Sequence, residues 1–287
     1  MGSLKEIKSR INSVKSTQKI TSAMKMVSSS KLIKAQRNIE NFYPYQQKIE
    51  TILQNLLSSG NDNADSVFSE NREIKRVAIV VFASNSSLCG SFNANVAKKL
   101  NEVLKTYSHL GNENILLFPV GKQISKVCRK YPYKTQESFD QLIDKPDYIE
   151  SLNTANILMS AFENQEFDKV ELIYNHFVSK STQELRTETL LPLNTKQIKS
   201  TGRISDYIIE PDPETVIEQL IPKAIRLKLH SALLDSIASE HAARTIAMQI
   251  ATENADEILQ ELSMQYNKSR QQAITNELLD IIGGSFA

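Results

Sequence analysis

The feature that most constrains this chain is where its glycines and prolines fall. Neither residue occurs between Ser3 and Tyr43 or between Lys223 and Ile282, and twelve of the sixteen lie between Gly60 and Pro222. Glycine and proline are the residues that interrupt helices. The two ends are therefore free to form very long helices, while the middle must be built from short elements joined by turns. At 287 residues, 40 % hydrophobic and 23 % charged, the chain has globular rather than disordered composition. Cys89 and Cys128 are its only cysteines, too few for a disulfide framework. No run of about 18 apolar residues marks a membrane-spanning helix. The N-terminus lacks the apolar core of a secretory signal, and its pattern runs on too long for a transit peptide, so the first helix is expected to start near the first residue.

Leu4, Ile7, Ile11 and Val14 alternate spacings of three and four, the seam of a coiled coil. The register continues through Gln18, Thr21, Lys25, Ser28, Leu32, Ala35, Ile39, Phe42, Gln46, Ile49, Leu53 and Leu56. Four of the five polar exceptions cluster between Gln18 and Ser28. A helix of this length spans about 80 Å, with Pro44 expected to bend it and residues 58–62 to end it. The C-terminal segment behaves alike. Pro213 and Glu214 fit a helix start, Pro222 a kink or second start, and Ala224, Leu227, Leu234, Ala238, Ala255, Leu259, Leu262, Tyr266 and Ala273 keep a three/four spacing. That helix would run roughly 90 to 105 Å. Neither stripe can be buried alone, so the two ends are expected to pair antiparallel.

The middle reads as strands alternating with helices: strands at 75–82, 114–121 and 170–174, helices at 94–107, 123–131 and 152–162, and a possible edge strand at 187–191. That alternation implies a parallel α/β sheet with right-handed crossovers. The expected division is 1–58 for the first coiled-coil helix, 59–210 for the central α/β domain and 211–287 for the second helix.

Candidate chemistry is sparse. The serine-rich stretch from Ser84 to Asn93 follows the first strand, where a phosphate cradle could sit. It lacks both the GxGxxG and GxxxxGK[ST] spacings, and reads as a strand-to-helix turn capped by Asn93. Cys89 precedes a helix start but has no histidine near it in sequence, so it reads as structural. His109, His176, His230 and His241 show no metal-ligand spacing. Glu240, His241 and Arg244 would form a catalytic-looking cluster only off their helix, and on a long helix read as solvent or interface contacts. Charge says more: residues 1–40 carry nine Lys/Arg against Glu6 and Glu40, a net of +7, whereas the segment from Lys223 carries six basic and eight acidic residues. The pairing of the two ends is thus electrostatically favourable.

Four stretches resemble the gamma subunit of the F-type rotary ATP synthase, bacterial type. They are Thr17-Gln18-Lys19-Ile20-Thr21-Ser22-Ala23-Met24-Lys25-Met26-Val27 with Ser30-Lys31-Leu32, then Ser239-Glu240-His241-Ala242-Ala243-Arg244, then Tyr266-Asn267-Lys268-Ser269-Arg270-Gln271, and the ending from Ile274 to Ser285. The serine-rich loop departs from that family's pattern at Asn85, Ser86, Ser87 and Ser91, although Leu88-Cys89-Gly90 and Phe92-Asn93 still match. The cysteine-bearing regulatory insertion of plastid forms has no counterpart here.

The resemblance implies an antiparallel two-helix coiled coil with a central Rossmann-like α/β domain. It implies a central-stalk rotor turning inside an alpha3beta3 ring, one copy per complex, its head contacting the epsilon subunit and the c-ring. No catalytic, cofactor or metal residue is implied on this chain. ATP/ADP and Mg would bind the alpha and beta subunits, membrane association would be indirect, and no nucleic acid would be bound. The place would be the cytoplasmic face of the cell inner membrane. By motif matching, Met24 and Lys25 on the first helix and Arg244, Arg270, Gln271, Thr275, Glu277 and Asp280 on the second would meet the beta subunit. Small and soft residues such as Met24, Met26, Ser28, Ser29 and Ser30 would then form a rotor surface without a deep anchoring contact. The +7 helix leaves a second reading, a nucleic-acid- or lipid-binding coiled-coil protein with an α/β head. A third, a nucleotide enzyme with helical arms, would need a phosphate loop that the sequence lacks.

Overall fold

The computed structural model describes residues 4–58, 67–70, 72–193 and 209–285. Its two longest elements are the expected ones. Helix α1 spans Leu4–Ser58 and helix α6 spans Pro213–Ser285, each continuing across its internal proline, Pro44 and Pro222. Pro222 therefore opens no second helix. The residues after Ser58 that were expected to end α1 lie outside the described set, as does most of the segment leading into α6.

The chain forms two compact units, residues 1–30 with 244–287 and residues 31–243, so each long helix contributes to both. In the first unit Thr21 Oγ1 lies 2.8 Å from Thr252 Oγ1, and Gln18 Nε2 donates to Asp256 Oδ1 at 2.9 Å. Residue numbers fall on one helix as they rise on the other, so the pair is antiparallel. Every buried residue of α1 lies on the expected seam, and none of the sixteen seam positions is exposed. Two of the polar positions among them, Gln18 and Thr21, are matched across the pair. Ser28 belongs to this seam and is buried, which corrects its expected place on an outer rotor surface: a heptad position faces the partner helix whatever its polarity.

The second unit is a three-layer α/β structure. Strands β1 (Val77–Phe82), β2 (Ile115–Val120), β3 (Lys134–Thr135), β4 (Lys169–Phe177) and β5 (Gln183–Leu191) form one sheet in the order β3-β2-β1-β4-β5. All neighbours are parallel except β4 and β5, so the possible edge strand is a full antiparallel partner of nine residues. β1 is buried at all six positions because both sheet faces are covered. Ala78, Val80 and Phe82 face one core, shared with α5 (Tyr148–Glu163) and with the parts of α1 and α6 in this unit. Val77, Ile79 and Val81 face the other, under α2 (Phe92–Thr106) and α3 (Lys122–Cys128). The sequence reading missed β3 and α4 (Asp140–Asp144), both too short to show a period.

Candidate functional site

Two places carry the sequence-level expectations: the loop after β1 and the surface of the helix pair.

The loop is closed on itself. Ser84 N–H and Oγ–H both donate to Asn93 Oδ1, at 3.2 and 2.9 Å, and Asn93 Nδ2 donates to Cys89 Sγ at 3.1 Å. Asn85 braces the other side, its Oδ1 accepting from Lys122 N–H at 3.0 Å and its Nδ2 donating to Asp140 O at 2.9 Å. Asn93 is therefore not the helix cap expected from sequence. Ser91 holds that position and makes no capping bond from its side chain, while Asn93, inside the helix, spends its amide on Ser84 and Cys89. Cys89 is buried and accepts a hydrogen bond, as a structural cysteine does. Cys128 is fully buried, and desolvation pushes its thiol up to about 12, which removes the thiolate that reactivity needs. Gly121 closes the neighbouring turn at φ +114, where a Cβ would lie 2.2 Å from Ala83 O, so only glycine fits.

Two of the histidines hold the fold together. His230 is enclosed by Phe42 and Tyr148, with ring centroids 4.8 and 5.3 Å away, and its Nδ1 lies 2.7 Å from Ser151 Oγ. Burial lowers its pKa to about 4, against a smaller opposing pull from Asp147, so the ring is neutral near pH 7. His176 Nδ1 meets Asp235 Oδ2 at 2.6 Å, tying β4 to α6, and burial raises the Asp235 pKa despite that contact. Ser239 Oγ donates to Asn175 O at 3.0 Å beside it. Among the described residues no group of three or more His, Cys, Asp or Glu could hold a metal ion. No helix there is long and apolar enough to cross a membrane.

The proposed contact residues fall into two stations on the helix pair of the first unit. Met24 and Lys25 are half-buried on α1. Arg270, Gln271, Thr275, Glu277 and Asp280 are all exposed on α6. The Thr21–Thr252 register places Met24 and Lys25 level with about residue 248, roughly 30 Å along the axis from Arg270. Arg244 does not share that exposure; it is buried, at 7 %. Glu240 is buried too, so neither is the solvent-facing charge expected of a long helix, because α6 is enclosed where they lie. Near the start of α1 the helices part around a groove of about 720 Å³ lined by Glu6, Arg10, Gln265, Lys268 and Gln272 among others. The same register sets Leu4 level with about residue 270, so the rest of α6 has no described counterpart on α1. Every residue from 270 to 282 is exposed, including Ile274, Leu278, Leu279, Ile281 and Ile282. The sequence signal for this stretch was its motif; Ile274, Leu278, Ile281 and Ile282, at spacings of three and four, also fall on one face of the helix.

The comparisons with known proteins cover the whole chain. A family model described as ATP synthase matches residues 3–287. The chain is 54 % identical to the ATP synthase gamma chain of Phocaeicola vulgatus over 290 residues, and 54 % identical to that of Bacteroides fragilis over 291, covering 100 % of both proteins in each case. Its fold is similar to a chain in the rotor of Euglena gracilis mitochondrial ATP synthase (TM-score 0.63, 19 % identity, 94 % of this chain and 98 % of that one). It is likewise similar to a chain in the central stalk and c-ring structure of Tetrahymena thermophila mitochondrial ATP synthase (TM-score 0.62, 24 % identity, 81 % and 99 %). The expected fold, long N- and C-terminal helices with an α/β sheet, is thus both observed and shared, and the chain belongs to the ATP synthase gamma-chain family.

Proposed function

We infer the following division of labour for the rotor role of a gamma chain. The helix pair turns inside an alpha3beta3 ring, and the α/β head carries the epsilon subunit and stands on the c-ring, one copy per complex. Proton flow through the membrane sector turns the ring and this chain together, and the asymmetric helix pair imposes successive conformations on the beta subunits. The chain has no catalytic site of its own. Nucleotide and magnesium are bound by the surrounding subunits, and the complex lies on the cytoplasmic face of the inner membrane, to which this chain is attached indirectly.

The observation that carries this reading is the exposed end of α6. A contiguous exposed apolar surface marks a site for a protein partner, and residues 270–282 present one on a single helix. Arg270, Gln271, Thr275, Glu277 and Asp280 provide polar contacts around it, and Met24 and Lys25 form the second station. Arg244, being buried, is not part of the contact surface in this reading. The internally satisfied loop after β1 supports the absence of nucleotide chemistry on this chain, since its polar groups are spent on one another.

Co-expression with alpha and beta subunits tests the assignment. An ATP-hydrolysing complex should form only when this chain is present; a complex of equal activity formed without it would overturn the reading. Within such a complex Arg270→Ala should slow turnover while the isolated chain stays folded. Unchanged turnover would remove Arg270 from the contact set.

A further inference from the structure

The outward side of α3 and the turn after it carries a concentration of charge that the rotor role does not use. Lys122, Lys126, Arg129, Lys130 and Lys134 fall close together, and no acidic residue occurs from 122 to 136. All five are exposed, and none forms an ion pair with a described residue. The fold gathers them. Ile124, Ser125 and Cys128 are buried under α3, so Lys122 and Lys126, one turn apart, stand on its other side, and Arg129 and Lys130 follow, exposed, at its C-terminal end. Lys134 lies on β3 at the sheet edge, beside a pocket that also holds Glu113 and Glu166. Like charges gathered on one ridge repel one another, so the arrangement favours an anionic partner of several charges.

Two features narrow the partner. Tyr131 and Tyr133 lie between the charges, their rings 6.0 Å apart and packed against the core under α2 and α3. Half-buried rings packed against the core leave little face free for stacking on nucleobases. Four of the five cations are lysines, compact point charges suited to phosphate without the fixed fork of arginine. A short lysine-rich ridge flanked by half-buried tyrosines suits the headgroup layer of a bilayer.

We propose that the α3 ridge binds anionic phospholipid headgroups, giving the head a weak direct contact with the membrane in addition to its attachment through the c-ring. The proposal rests on the reading above that places the head beside the membrane sector. Each basic residue near an anionic surface is worth about fivefold in partitioning, and the contact weakens as salt rises.

The test uses the assembled complex with alpha and beta subunits, so that the basic helix α1 is enclosed and failure of assembly is scored separately from failure of lipid binding. The complex should co-sediment at low salt with vesicles of phosphatidylcholine plus phosphatidylglycerol, and not with phosphatidylcholine alone. Lys126→Ala/Arg129→Ala/Lys130→Ala should assemble, keep its ATPase rate and partition about a hundredfold more weakly. If that triple variant fails to fold, Lys130→Ala alone should show about a fivefold loss. The proposal is overturned if the wild-type complex ignores phosphatidylglycerol, or if the folded variants bind as wild type. It is also overturned if the folded triple variant no longer assembles, which would make the ridge a subunit contact, or if the ridge prefers duplex DNA to the vesicles.

Discussion

Helix α6 passes through two environments, and the contrast shows how little of a helix's role is set by its period alone. In the unit of residues 31–243 a long stretch of it is enclosed: residues 232–240 are buried one after another, with Asp235, Ser236, Ser239 and Glu240 among them. In the unit of residues 1–30 and 244–287 it is a partner in a pair, and from Ile246 to Ile282 only Met248, Ala255 and Leu262 are buried, seven residues apart. A helix surrounded on all sides needs small residues and satisfied polar groups. A helix with one neighbour needs only a stripe. The enclosed part meets that demand through contacts such as Asp235 with His176 and Ser239 with Asn175.

The sharpest way to break the contrast is truncation on both sides of it. Leu233→Ala, at a position 1 % exposed, should cost about 4 kcal/mol in urea unfolding, because the enclosed site cannot collapse. Leu262→Ala, at 7 %, should cost only about 2 kcal/mol, since solvent lies beside it. Equal losses would mean that the two environments are energetically alike.

Acid should act on the enclosed region first. His230 titrates near 6.5 when unfolded and at about 4 when folded, so the unfolded chain takes up the proton first as pH falls. Stability is therefore full above about pH 6.5 and is lost as pH drops toward 4, by on the order of 3 kcal/mol. His230→Phe should flatten that acid limb in unfolding measured across pH. An unchanged limb would assign the acid sensitivity to other groups.

A smaller effect is expected in the paired region. Thr252→Val should cost about 1 kcal/mol by leaving the Thr21 hydroxyl without its partner across the pair, and the double variant with Thr21→Val should recover part of that loss. Additive losses would show the two hydroxyls to be uncoupled. Smallest of all, Leu278→Ser on the exposed end of α6 should shift the isolated chain's stability by no more than about 0.5 kcal/mol, while weakening assembly with alpha and beta subunits. A large loss of intrinsic stability would mean that this end is packed in the free chain.

The paired region was largely legible in the sequence because a stripe with one neighbour leaves a regular mark. The seam positions from Leu4 to Ser28 name every buried residue of α1 in that region, and the same register continues to Leu56 in the other unit. The sheet was legible as well, since strands covered on both faces read as continuous apolar runs such as Val77–Phe82. The enclosed part of α6 was not. Burial on all sides erases periodicity, and the polar residues there find partners on strands far away in sequence. The contact residues were legible only through motif resemblance. Exposure then separated Arg270, Gln271, Thr275, Glu277 and Asp280 from Arg244, a distinction that depends on which neighbours surround α6 at each point. The basic ridge on α3 escaped notice because its five charges are diluted by the buried residues between them.

The hydrogen bonds of Thr21 with Thr252 and of Gln18 with Asp256 lie four residues apart or less on each helix. A slide of one helical turn, about 5.4 Å, would part both together. An apolar seam alone tolerates such creep, because one leucine layer resembles the next. The polar layer works as a key cut into two rods: it locks them lengthwise, so that twist applied at one end reaches the other in step.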